Sequence, residues 1–448
     1  MRNHQSTLFL SLIICCCSSL TAQQSVQQLI DSCLPQLLTT YTTLHQNPEL
    51  SFHEEKSSAL IAKELRSLGF DVTERFGSYD DPHRISYGVV GILKNGKGPV
   101  VLLRTDMDAL PIEEKTSLPY ASKVQMKNDT GDDVPVMHAC GHDVHMTVFI
   151  GTAKLLTTLK DRWSGTLIMI GQPAEERGSG AKALLRGGLY SKFPKPDYAL
   201  ALHNDAFLET GKVSFVEGYV AASVTSVDLI VRGQGGHGAL PQTTKDPVVM
   251  ASQIVLALQT IVSRENSPLD PAVVTVGSIH GGTKHNIIPD EVHLQLTVRA
   301  YKEEVRQKIL ASIKRIADGI AHATGMAQDR LPLMIVDDGE HIDATYNDPA
   351  FARRAAEAIR KVLGKENVLQ AEPAMVGEDF GYYNLDHTIP STIFWLGNAD
   401  PNIVASAKAA GKQLPPLHSS GYAPVPEPTI RTGVTALSSI VLDLMKKK

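Results

Sequence analysis

The sequence predicts an α/β protein, a doubly wound mixed-sheet domain interrupted by a smaller domain of β-α-β-β-α-β order. Three observations predict it. Short apolar runs alternate with helical patterns through the first half, as in strands covered on both faces. From about Ala222 to Asp338 the rhythm changes to half-exposed strands and two helices. After that stretch the chain reverts to helix and short apolar runs. The main domain is therefore assigned to residues 23–221 and 339–448, and the inserted domain to 222–338.

The elements follow in order. Val26 to Leu68 reads as helices broken near Asn47-Pro48. Val100-Val101-Leu102-Leu103, Thr166 to Ile170 and Tyr198 to Leu202 read as buried strands, with a helix from about Met146 to Leu159 between the first two. In the insert, Val224 to Val231 alternates like a strand. Asp246 caps a helix that opens with Pro247 and runs to about Ser263, since Asp is a good cap and Pro suits the first turn. Ala272 to Ile279 is a strand, and Val292, Leu294, Leu296 and Val298 mark a half-exposed one. Val305, Ile309, Ile313, Ile316 and Ile320 form one helical face before the strand Leu333 to Val336. This order is a split-βαβ, ferredoxin-like motif. Helices from Pro349 to Leu363 and from about Glu427 to Lys446 complete the chain.

The chain has 448 residues, 43% hydrophobic, with 43 basic against 48 acidic side chains and a formal charge of -5. No basic block points to nucleic acid. Arg2 precedes the apolar run Leu8 to Ile14, and Leu20-Thr21-Ala22 follows, which fits a secretory signal cut after Ala22. That run is too short to span a bilayer, so the expected mature protein is secreted or periplasmic, with no membrane span. Three of the five cysteines fall in the signal, leaving Cys33 and Cys140, too few for a disulfide scaffold.

Candidate ligands follow the predicted strands: Asp106 and Asp108, then Glu175 and Glu176, then His203 and Asp205. In open α/β sheets ligands bind beyond the carboxyl ends of strands. His138-Ala139-Cys140-Gly141-His142-Asp143 adds a thiol and an imidazole two residues apart, a spacing that lets one loop present both to one ion. A lone Cys-x-His would be a buried thiol beside histidines; the neighbouring acids make metal binding the stronger reading. The pair Glu175-Glu176 suggests a division of labour. Adjacent side chains point apart, so one can hold metal while the other takes a proton from an activated water.

Six stretches carry a resemblance: Arg104 to Pro111, His138 to Asp143, Gln172 to Glu176, Gly236 to Gln242, Asn286 to Asp290 and Gly377 to Phe380. The chain resembles the metal-dependent amidohydrolase and carboxypeptidase branch that includes hippurate hydrolases, N-acyl-amino-acid amidohydrolases and plant auxin-conjugate hydrolases. The resemblance implies two divalent metal ions, zinc or manganese, on Cys140, His142, Glu176, His203 and His418, with Glu175 as general base. It implies a homodimer paired through the inserted domain, which also serves as a lid, with His237 reaching the partner's site. It implies that Asn286 and Arg299 hold the free carboxylate of an N-acyl amino acid or short peptide substrate.

The chain also departs from sister branches. These place His-x-Asp where this sequence has Asp106-Met107-Asp108, so Asp106 is expected not to bind metal and Asp108 to orient the site. Arg177 stands after the acidic pair where glycine is common, which bears on substrate identity. Two rival readings are a co-catalytic metal aminopeptidase or dipeptidase, and a secreted metal- or peptide-binding protein. Arg299 argues against the first and retention of both Glu175 and Glu176 against the second. Whether Cys140 bridges both ions is open.

Overall fold

The computed structural model describes residues 25–447. The expected signal, residues 1–22, lies outside them. An eight-stranded mixed sheet runs in the order Asp71–Phe76, Gly88–Asn95, Gly165–Gln172, Val100–Asp106, Tyr198–Glu209, Ser391–Ala399, Val213–Phe215, Val368–Gln370. Its four middle strands, from Gly165–Gln172 to Ser391–Ala399, are parallel.

Residue alternation shows why both faces are covered. Leu167 and Met169 enter the core beneath helices Val26–Gln46, His142–Thr158, Pro349–Leu363 and Pro426–Leu444. Ile168 and Ile170, on the opposite face, pack with Ala181 and Leu184 of Gly180–Arg186 and with Phe380. Each such aliphatic side chain contributes about 1.5–3 kcal/mol on burial. The continuous apolar run is therefore the mark of a strand with no solvent face.

Residues 223–342 contain a four-stranded antiparallel sheet in the order Ala272–Gly281, Glu291–Ala300, Ser223–Arg232, Leu333–Ile342. Val227, Leu229 and Val231 point into a separate core, filled by Met250, Ile254 and Leu258 of Pro247–Thr260 and by Ile309, Ile313 and Ala317 of Glu303–Ala323. The Asp246 side chain accepts the N–H groups of Val248 and Val249, capping that helix. Its regular turns stop at Thr260 and a π-helical turn carries the chain from Ile261 to Glu265. The last strand runs past Asp338 to Ile342, because Val224 pairs with Ile342 beyond an irregular register. The outer face of Pro247–Thr260 leaves Val248, Val249 and Leu256 exposed.

Two elements of the main domain differ from their predicted bounds in ways that bear on the site. The helix expected from Met146 starts at His142, with Gly141 at φ 79° as its cap residue. A Cβ at Gly141 would collide with the Asn204 side chain, so glycine is required there by both conformation and space. The strand expected to end at Leu202 continues to Glu209, because Ser391–Ala399 pairs along it, Trp395 opposite His203 and Gly397 opposite Asp205. His203 and Asp205 are thus strand residues, not loop residues.

Candidate active site

Cys140, His142, Glu176, His203 and His418 converge. Cys140 Sγ lies 3.4 Å from His203 Nε2 and 3.3 Å from His418 Nε2. His418 Nε2 is 3.4 Å from Glu176 Oε1, and His142 Nε2 is 4.0 Å from the same oxygen. Two overlapping donor sets result, Cys140-His142-His203 and Cys140-Glu176-His418, with the thiol common to both.

Local structure aims each donor. His142 Nδ1 lies 2.8 Å from the Asp108 carbonyl oxygen and His203 Nδ1 2.9 Å from that of Asn204, which turns both Nε2 atoms inward. His418 sits in the left-handed region at φ 61°, and its N–H donates to the Ala139 carbonyl, tying the C-terminal loop to the Cys140 segment. Ala174, at φ 49°, turns the chain at the end of Gly165–Gln172 and throws Glu175 and Glu176 into the site. Cys140, His142, Glu175 and His203 are buried, whereas the His418 side chain is 53% exposed and marks the open side.

These residues fit a cation. His142 Nε2 and Glu176 Oε1 are buried without a hydrogen-bond partner, a costly arrangement that a cation relieves. Burial and the charges of Glu176, Glu175 and Asp106 push the Cys140 thiol well above its ordinary pKa, so a nearby cation is needed to hold it as thiolate. Burial alone would lower the pKa of His142; the surrounding carboxylates, Asp106 foremost, outweigh it and raise it to about 10. The cluster is a negative field that gathers positive charge.

Glu175 Oε2 is 3.8 Å from His142 Nε2. Burial, with repulsion from Glu378, Glu176 and Asp379, raises its pKa well above the ordinary carboxylate range, which suits a group that accepts and returns a proton. Asp108 is fully buried and holds the loop: its carboxylate accepts the N–H groups of Glu175 at 3.2 Å and Glu176 at 3.0 Å, and the Ser51 hydroxyl at 2.6 Å.

A network that sequence reasoning left without roles lies behind the cluster. Buried Arg104 donates to Asp106 at 2.6 Å, to Gln172 at 2.9 Å, and to Glu378 and Asp379 at 3.0 Å each. Asp106 also lies 2.6 Å from His145 Nδ1, and His145 Nε2 accepts the N–H of Asn204, the residue after His203. Both oxygens of Asp106 are therefore engaged. An arginine ending the apolar run Val100 to Leu103 was the signal available in the sequence. His45 forms a second support, 2.7 Å from Asp143 and 3.1 Å from Glu114.

Three sequence candidates stand apart from the cluster. His237 and Asn286 are exposed on the insert and close to each other: Gly238 N–H donates to the Asn286 carbonyl. The His237 Nδ1 accepts the Ala239 N–H at 3.0 Å. Arg299 donates to the Met375 carbonyl at 2.9 Å, joining the insert to a main-domain loop.

A mixed α/β fold with thiol, imidazole and carboxylate donors gathered beside the parallel strands defines a metal-dependent hydrolase. The chain belongs to Peptidase family M20/M25/M40, whose profile matches residues 102–410. It is similar to an N-acetylcysteine deacetylase of Bacillus subtilis, 35% identical over 81% of this chain and 88% of that one. It is 37% identical to a hippurate hydrolase of Campylobacter jejuni over 76% of this chain and 82% of that one. Among solved structures it resembles the YXEP protein of Bacillus subtilis, described as a dinuclear metal-binding peptidase of the M20 family. That match has a TM-score of 0.73 and 28% identity, covering 93% of this chain and 99% of that one.

Proposed function

We propose that the protein hydrolyses the amide bond of small N-acyl amino acids or short peptides that carry a free carboxylate. The observation that carries this reading is the pair of donor sets sharing Cys140, with the buried carboxylate of Glu175 beside them. Cys140, His142, Glu176, His203 and His418 would hold two divalent cations, zinc or manganese. Such ions make water acidic enough to attack near neutral pH and polarise the scissile carbonyl. Glu175 takes the proton from the attacking water and delivers it to the leaving nitrogen. Asn286 and Arg299 are assigned to the substrate carboxylate and His237 to the developing oxyanion.

The position of His237 supports a shared site. It is exposed on the insert, whose helix Pro247–Thr260 also leaves Val248, Val249 and Leu256 uncovered. A homodimer paired through the insert would bury those side chains and bring His237 to the partner's cluster. Mixing Glu175→Gln chains with His237→Ala chains tests it. With subunit exchange confirmed, recovered activity supports a site shared in trans, and none counts against it. The proposal includes export directed by residues 1–22, which N-terminal sequencing of the mature protein checks.

The reaction is tested with metal-loaded protein on a panel of N-acetyl, N-benzoyl and free dipeptide substrates. Turnover of N-acyl amino acids is expected, and exclusive turnover of substrates with a free α-amine would favour an aminopeptidase instead. Glu175→Gln should lower kcat by about 10²–10⁴-fold with metal content kept. Glu176→Gln should lose metal. The reverse pattern would exchange the two roles.

A further inference from the structure

Beside the cluster, and sharing none of its five donors, is a cavity of about 520 Å³. Its wall comes from both domains. Arg84, Arg177, Lys182 and Arg186 belong to the main domain, and Asp337 and Gly339 to the insert strand Leu333–Ile342. Its floor is Phe52 and Tyr79, whose rings meet edge to face at 5.0 Å, with the Arg84 guanidinium 3.8 Å over Phe52. Two hydroxyls of the lining, Tyr79 Oη and Ser179 Oγ, are buried with no hydrogen-bond partner, and Tyr79 is only 8% exposed.

We propose that this cavity is a binding site for a small oxyanion, a phosphate or carboxylate group, held between the two domains. The argument rests on three features. Guanidinium and ammonium groups recognise oxyanions through charge-assisted hydrogen bonds. The orphaned hydroxyls are donors lacking an acceptor, which an oxyanion supplies. The acids nearby do not fill that need. Asp80 pairs with Arg186 at 2.9 Å, Asp81 with Arg84 at 3.7 Å, and Asp129 with Arg177 at 2.9 Å and with Arg84 at 3.5 Å. Asp337 stands in the wall. Asp80, Asp81 and Asp129 are exposed, and pairs of that kind are weak enough for a bound oxyanion to replace.

Arg177 and Ser179 belong to the segment that leaves Glu175 and Glu176, and the insert strand forms the opposite wall. An occupant therefore joins the insert to the segment carrying the proposed base. Arg177 is also where this sequence departs from the glycine common after the acidic pair.

The test is equilibrium binding of inorganic phosphate, and separately of succinate, to the metal-loaded enzyme, with hydrogen exchange read in both domains. One saturable site is expected for at least one of the two. Exchange should slow in residues 177–186 and 333–342 together. Arg84→Gln and Lys182→Gln should each weaken binding about tenfold or more, as expected for loss of a charge-assisted hydrogen bond. Tyr79→Phe, which keeps the ring packing, should weaken it by a smaller factor. Lys195→Gln, a surface charge outside the cavity, should change nothing. Absence of saturable binding by both anions overturns the proposal. So does binding of wild-type strength in Arg84→Gln, Lys182→Gln and Tyr79→Phe, which would locate the anion on the metal ions instead.

Discussion

Replacing Asp108 by Asn changes almost no volume but removes an acceptor from the group that holds the Glu175–Glu176 backbone. Three donors converge on the carboxylate: Glu175 N–H on Oδ1, and Glu176 N–H and the Ser51 hydroxyl on Oδ2. The amide nitrogen of Asn accepts nothing. Placed at the Oδ1 position it faces the Glu175 N–H; placed at the Oδ2 position it faces two donors. The milder choice strands one buried donor, which costs about 1–3 kcal/mol. His142 keeps its main tether, because its Nδ1 meets the backbone carbonyl of Asp108 at 2.8 Å, but it loses the charge of the carboxylate oxygen 3.4 Å away. Removing an outer support of a metal ligand typically lowers metal affinity about 10–100-fold, or about 1.4–2.8 kcal/mol at 1.4 kcal/mol per decade. The two routes to the magnitude agree. Competition with a chromophoric chelator measures affinity, and circular dichroism checks that the variant is folded. Ser51→Ala, which removes one donor and strands none, should cost less than Asp108→Asn. An Asp108→Asn protein that binds metal like the wild type would refute the argument.

Three further outcomes are expected. Cys140→Ser should lose metal on dialysis and activity with it, since serine is a poor substitute for thiolate; unchanged metal content by elemental analysis would contradict a shared thiol ligand. Arg104→Met leaves Asp106, Glu378 and Asp379 buried without their common cation and should destabilise the main domain by about 3–5 kcal/mol, read from urea unfolding; a loss below about 1 kcal/mol would mean the pairing contributes little. Burial would lower the pKa of His45, but its bonds with Asp143 and Glu114 outweigh this and raise it to about 9 from 6.5. Because the folded value is the higher one, the stabilisation is complete below pH 6.5 and is lost as pH rises through about 9. By linkage it amounts to about 3 kcal/mol, so His45→Leu should remove that slope from stability measured between pH 6 and 10, and parallel curves would exclude it.

The sequence made legible what local pattern controls. Strands buried on both faces appear as unbroken apolar runs, and Leu167 to Ile170 divides its side chains between two cores as that pattern requires. The Asp246-Pro247 helix start is equally local. Strand ends were harder. Tyr198–Glu209 outlasts its apolar run because its partner strand lies nearly two hundred residues later, and no local signal announces that pairing. The Arg104 network was invisible for the same reason: Asp106 is two residues away, but Glu378 is 274 away. His418 is an ordinary loop histidine by itself and was singled out only through resemblance. Its left-handed backbone and its bond to Ala139 are tertiary facts.

The position of strand Ser391–Ala399 has a consequence for how the chain is made. It does not add to an edge; it lies between Tyr198–Glu209 and Val213–Phe215, which are close in sequence. A ribosome must therefore finish the whole insert before the main sheet can close. During that interval the Tyr198 strand, which carries His203, keeps an unpaired edge, and His418 has not been synthesised. The inserted domain, with its own core, is free to fold first. A nascent or truncated chain thus holds an incomplete donor set beside an open strand, the arrangement most prone to bind the wrong ion or another chain. With His418 as the last of the proposed ligands, its late synthesis would tie metal capture to completion of the sheet.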